Sequence, residues 1–121
     1  MVEMAIVLPV LVLLIFGLIE YGWMFAKLAQ INNATRHGVR IAVRPEATED
    51  EVNAAVGQLM TQAGLGSSGY SVTITDLSAA KGEPVTVAVN VSYSNVTLTH
   101  FGLLPVPGAL VGRAAMAKEG P

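Results

Sequence analysis

The start of the chain carries an apolar run that constrains everything else. No charged residue lies between Met4 and Ile19, and after Glu20 the run resumes as far as Ala26. A helix rises about 1.5 Å per residue, so this length is enough to cross about 30 Å of hydrocarbon. A buried core helix is disfavoured, because the run is apolar on every face and a small domain cannot enclose it. We predict a transmembrane helix over residues 1–26.

Four residues near the end of the run predict where it meets water. The rings of Tyr21 and Trp23 suit the headgroup level. We expect the Glu20 carboxylate to reach water there and Lys27 to end the span. Within the span, Pro9 removes one backbone hydrogen bond and is predicted to kink the helix.

The flanks of the run bear on processing and orientation. A cleavable secretory signal begins with basic residues and ends with small ones, whereas this chain begins Met-Val-Glu-Met and its run ends in bulky residues. We therefore expect the segment to be retained. The basic residues Lys27, Arg36, Arg40 and Arg44 all follow the span, and the positive-inside rule alone would leave the domain in the cytoplasm.

The helical pattern continues past Lys27. Apolar residues recur at steps of three and four, and polar residues recur on another face, which predicts an amphipathic continuation to residue 44. Pro45 ends it, since the residue before a proline avoids the α region. The apolar positions are Leu28, Ile31, Thr35, Val39 and Ala42.

The remaining sequence predicts one short helix and about three strands. Thr48 with Glu51 forms a capping box, and Gly64 is a typical C-terminal stop. Alternating residues predict strands at 70–75 and 85–93, paired as an antiparallel hairpin, with a third strand at 109–118. The expected fold is α+β, with the long N-terminal helix packed on a small antiparallel sheet. Residues 27–121 form the predicted domain.

Charge gives no reason to expect nucleic acid as a partner. Only 13% of residues are charged, against about 25% in a typical soluble protein, and 52% are hydrophobic. All seven Lys and Arg follow residue 26, as do all of the nine Asp and Glu except Glu3 and Glu20. The predicted domain is therefore neutral, and it offers no excess of positive charge to phosphates.

The sequence contains no pattern typical of catalysis or of a cofactor. There is no cysteine, which excludes thiol nucleophiles and Cys-ligated zinc. His37 and His100 lack a carboxylate or second histidine at metal-ligand spacing. No serine lies in a nucleophile elbow. We predict no catalytic residue, no metal site, no cofactor and no enzymatic activity.

Glu3 directly precedes the apolar run and has two interpretations. It either complements the dipole at the helix start, or enters the bilayer or a helix bundle to pair with a positive group on a partner. The residues alone leave both open.

Four stretches of the sequence resemble those of the TadE-type pseudopilins of the tight-adherence (Tad) branch of type IV pilus systems. Two lie in the apolar run, Val-Glu-Met-Ala-Ile-Val-Leu-Pro at 2–9 and Gly-Leu-Ile-Glu-Tyr-Gly at 17–22. The other two are 34–40 (Ala-Thr-Arg-His-Gly-Val-Arg) and the closing 115–119 (Ala-Met-Ala-Lys-Glu).

The resemblance implies a pilin-like fold and a minor pilin or pseudopilin in the assembly of an adhesive Flp-type pilus. Family members are made with a basic leader that a prepilin peptidase removes, so this peptidase is an implied partner of any precursor in which such a leader precedes Met1. The implied partners are membrane lipid, other pilin subunits and the assembly machinery. The implied location is the bacterial inner membrane, single-pass, with the domain in the periplasm or incorporated into a surface pilus. Glu3 matches the glutamate thought to neutralise a neighbouring subunit's N-terminal amine.

Two other functions remain open at this point. One is a membrane-anchored binding or adhesin domain that acts outside a pilus. The other is a membrane-tethered enzyme, which nothing in the residues supports. The role of the apolar helix separates the first from a pilin, since a simple anchor can be exchanged for another span.

Overall fold

A computed structural model describes residues 1–95, 97 and 107–119. Two helices come first in the chain, α1 (Val2–Ala42) and α2 (Glu49–Gln62). Three strands follow, β1 (Ser71–Thr75), β2 (Pro84–Ser92) and β3 (Ala109–Ala117), with a 3₁₀ turn (Tyr93–Asn95) after β2. The α+β prediction is confirmed, including the long first helix, the short second helix and the three strands.

The first helix is continuous from the apolar run into the domain. It passes through Pro9 without a break, and the kink at Pro9 stays a prediction. It ends at Ala42, two residues before the expected end. Along its second half Ile31, Thr35 and Val39 are buried, as the apolar spacing predicted.

The second helix has the termini that the sequence predicted. The side chain of Thr48 accepts a hydrogen bond from the Glu51 backbone N–H at 3.3 Å. At the other end Gly64 has φ of +78°, a conformation that glycine adopts without steric cost. The N–H of Leu65 reaches back to the carbonyl of Met60 at 2.8 Å, which completes a Schellman-type stop.

The sheet is antiparallel throughout, with β2 at its centre. Val89 lies opposite Val72 of β1 and Gly112 of β3, and residues at such positions share one face of a sheet. The inward valines of β2 are fully buried, namely Val85, Val87, Val89 and Val91. The outward residues of the same strand are half-buried or exposed, as expected for a sheet with one solvated face.

The core lies between this buried sheet face and the two helices. The first helix packs across β2 and β3, and the second helix packs against the first. The helices approach closely at Gly38, where an added Cβ would lie 2.5 Å from Cγ2 of Val56. At Gly112 an added Cβ would lie 2.7 Å from Oγ1 of Thr35. Two glycines therefore set how closely the layers approach.

Candidate functional site

The N-terminal part of α1 projects from the domain as an apolar rod. Every residue from Met1 to Phe16 is exposed, and the first buried position is Gly17. The helix contains an 18-residue window of mean hydropathy 2.8, of which only 6% is buried by the protein. Length and composition thus allow one membrane span. We name residues 1–16 the projecting segment.

Glu3 lies in the first turn of this segment and is exposed. A carboxylate at a helix start is favoured by the helix dipole. The same position leaves it accessible to another chain. Its role in subunit contact stays a prediction.

Glu20 lies three residues after Gly17, the first residue of α1 that the domain buries. Its side chain is only 2% exposed, so the expectation that its carboxylate reaches water is wrong. The phenol of Tyr93 donates a hydrogen bond to Glu20 Oε1 at 2.6 Å, and the hydroxyl of Thr97 donates to the same oxygen. A buried carboxylate needs such donors, because desolvation is costly. We name Glu20, Tyr93 and Thr97 the carboxylate clamp.

The two hydroxyl donors of the carboxylate clamp come from the segment that directly follows β2. Tyr93 continues the inward alternation of the strand and is 3% exposed. The 3₁₀ turn that begins at Tyr93 then brings Thr97 to the same carboxylate. The clamp joins α1 to a segment 73 residues away in sequence, so it fixes where the projecting segment leaves the domain.

Burial and the bond to the Glu20 carboxylate raise the pKa of Tyr93 to about 12. Below pH 10 the phenol keeps its proton in both the folded and unfolded states. Between pH 10 and 12 the unfolded chain loses the proton first, so stability falls as pH rises, by about 2–3 kcal/mol in all. We expect urea unfolding of the chain in detergent to show this loss.

The matched control for this prediction is Tyr93→Phe, which has no proton to lose at this position. Other groups titrate in both proteins, so the quantity to follow is the difference between their free energies of unfolding. That difference should be largest below pH 10 and shrink towards pH 12. A constant difference across this range would contradict the assignment.

Two lysines hold the C-terminal ends of the helices. Lys27 donates from Nζ to the carbonyl of Ala63 at the end of α2, at 2.7 Å, and its Nζ lies 4.5 Å from the ring centroid of Trp23. Lys118 donates to the carbonyls of Ala42 and Leu77, at 2.9 and 2.8 Å. Cations are favoured at helix C-termini by the dipole.

These contacts change the expected surroundings of the residues at the C-terminal end of the apolar run. Lys27 was expected in water, but it is half-buried, and its ammonium bonds a carbonyl of the domain. Trp23 is half-buried, and Tyr21 packs against the core. The placement of Glu20, Tyr21, Trp23 and Lys27 at a membrane interface stays a prediction.

Sequence reasoning missed the clamp and both lysine contacts. Each joins residues far apart in the chain, and no local spacing reveals such a pair. The alternation of β2 did mark Tyr93 as inward-facing, which is the one usable signal.

The described residues hold no group of three or more His, Asp or Glu side chains that could bind a metal. His37 is half-buried on α1. His100 lies outside the described residues. An open depression of about 800 Å³ at the far end of the domain is lined in part by Glu49, Asp76 and Lys118, and the Lys118 ammonium there already bonds two carbonyls.

The N-terminal third of the chain is similar to a known family. Residues 1–40 match the family model described as TadE-like protein. The N-terminal helix is TadE-like. The resemblance noted in the sequence is thus confirmed for the segment that contains Glu3, Pro9 and the clamp residue Glu20. The TadE-like family is associated with the Tad pilus and is of a structural, non-enzymatic kind. No curated protein and no solved structure matches the chain.

The match ends two residues before the end of α1. The second helix and the sheet lie outside it, so their functional interpretation depends on the structure alone.

Proposed function

We propose that this chain is a minor pilin or pseudopilin that takes part in assembling a Tad pilus through lateral packing of its N-terminal helix. The observation that carries the proposal is the projecting segment, which is TadE-like, apolar and uncovered by its own domain. In the membrane, lipid covers this surface. In a pilus, the helices of sister subunits cover it.

We propose that the chain lies in the bacterial inner membrane, with one span and with its domain on the periplasmic side. Its proposed partners are lipid, other pilin subunits, the assembly machinery and, for a leader-bearing precursor, prepilin peptidase. The carboxylate clamp supports this function because it holds the base of the projecting segment at a fixed position on the domain. A fixed exit direction matters because neighbouring helices must lie side by side.

Glu3 is the proposed contact between subunits. Within an apolar bundle its carboxylate would pair with a positive group on a neighbouring subunit, such as an N-terminal amine. Removing one partner of a buried ion pair is strongly destabilising, so Glu3→Ala should reduce surface pili on the order of tenfold or more. The measurement is a count of pili by electron microscopy in cells whose own copy is deleted.

Two control variants sharpen this test. Glu3→Asp keeps the charge and should retain more pili than Glu3→Ala. Glu83→Ala removes an exposed carboxylate in the turn between β1 and β2 and should leave the count unchanged. Normal piliation by Glu3→Ala, at native protein level, would count against the proposed contact.

A further inference from the structure

One face of α1 stays uncovered even where the helix lies on the domain. Its residues recur at steps of three and four, so they form a single row along the helix. All of them are exposed: Gly22, Phe25, Ala29, Asn33, Arg36 and Arg40. Phe25 is 62% exposed, and nothing lies within 4 Å of a Cβ added at Gly22. We name this row the open face.

The far end of the open face is basic. Arg36 and Arg40 lie one turn apart, and their side chains make no hydrogen bond or ion pair with other described residues. They follow Glu20 by 16 and 20 residues, which is about 24–30 Å of helix. That distance exceeds the screening length of about 8 Å at physiological salt, so headgroups near Glu20 do not neutralise them.

An acidic cluster lies beside this end of the helix. Its members are all exposed and belong to the start of α2 and the turn before it: Glu46, Glu49, Asp50 and Glu51. The second helix runs antiparallel to α1, since its end meets Lys27 and its middle meets Gly38. The cluster is therefore level with the end of α1, about one turn beyond the two arginines.

We propose that the open face docks a second copy of this chain, with Arg36 and Arg40 of one copy against the acidic cluster of the next. The inference rests on the proposed function, in which α1 helices of neighbouring subunits lie side by side. A stagger of roughly 5–10 Å along the helix brings the two charge sets level.

The charges favour a second copy over other occupants. One molecule supplies both signs, positive on α1 and negative at the start of α2, so identical copies complement each other in head-to-tail order. A nucleic acid would meet the acidic cluster beside the arginines and be repelled. The apolar part of the row, at Phe25 and Ala29, continues the same face towards the projecting segment, so one contact surface runs along the helix.

The test measures association of the full-length chain in lipid vesicles by energy transfer between dyes. The chain has no cysteine, so one introduced cysteine takes the dye. Arg36→Glu with Arg40→Glu should weaken association on the order of tenfold, because like charges then face each other. Glu46→Lys with Glu49→Lys and Asp50→Lys should do the same.

The decisive measurement mixes the two variants. The Glu side chains at 36 and 40 of one variant then face the Lys side chains of the other, so association should return towards the native value. Reversal of Lys81 and Glu83, in the turn between β1 and β2, is the matched control and should change nothing. The proposal would be overturned if each variant alone associated as strongly as the native chain. It would also be overturned if association did not recover when the two variants are mixed.

Folding is checked on each variant through the fluorescence of Trp23. If a reversal unfolds the chain, Arg36→Gln with Arg40→Gln replaces it. Association of the native chain must then weaken as the salt concentration rises, while association of the Gln variant does not change with salt. Equal salt dependence in both would also overturn the inference. These readouts do not involve Glu3 or piliation, so the proposed function can stand if this contact fails.

Discussion

Gly38→Val should destabilise the domain by about 3 kcal/mol or more. An added Cβ alone would lie 2.5 Å from Cγ2 of Val56, and Val52 and Val87 lie within 4 Å of it. Val56 is fully buried, and a branched side chain packed between two layers has no free space into which it can turn. The helices must therefore separate, which opens voids elsewhere in the core.

The measurement is thermal unfolding of the full-length chain in detergent, followed by the fluorescence of its single tryptophan, Trp23. A loss of this size lowers the midpoint on the order of 10 °C. Gly22→Val is the matched control, since it makes the same change on the same helix where nothing lies within 4 Å. If both variants melt alike, the close approach at Gly38 does not limit the packing.

Much of this fold follows from local patterns in the sequence. The strict alternation around Val85 and Val91 predicted the central strand to within one residue at either end. Thr48 and Gly64 marked the limits of α2, because their side-chain and backbone properties act within a few residues.

What could not be predicted depends on contacts between distant segments. The burial of Glu20 arises from Tyr93 and Thr97, and nothing near Glu20 in sequence distinguishes it from an acid at a membrane surface. Lys118 is similar, since its two carbonyl partners become neighbours only when β3 reaches the end of α1. The importance of Gly38 and Gly112 could not be predicted from the sequence either, because it depends on side chains of other elements that pack against them.

The same limits apply to the functional site. The apolar run predicted a projecting span and its resemblance pointed to the Tad system, both from residues adjacent in sequence. The residue at which the domain begins to bury the helix could be identified only from the structure. Since every residue from Met1 to Phe16 is exposed and Gly17 is the first that is not, an exchange of the span can be confined to residues 1–16 without touching the clamp.

That exchange has the largest effect we expect. Residues 1–16 are replaced by an apolar span of equal length from an unrelated single-pass protein. The chimera should still insert in the membrane, because hydrophobic length is preserved. Its domain should fold as before, because none of the replaced residues is buried. Pilus assembly should fail, because the new surface does not pack against sister helices.

The decisive measurement is the number of surface pili on cells that carry only this chimera, at native protein level and with an unchanged melting midpoint. We predict few or no pili from such cells, against normal numbers from cells with the native chain. Normal numbers from the chimera would show that the helix is an interchangeable anchor, and would contradict the claim that it is the assembly surface.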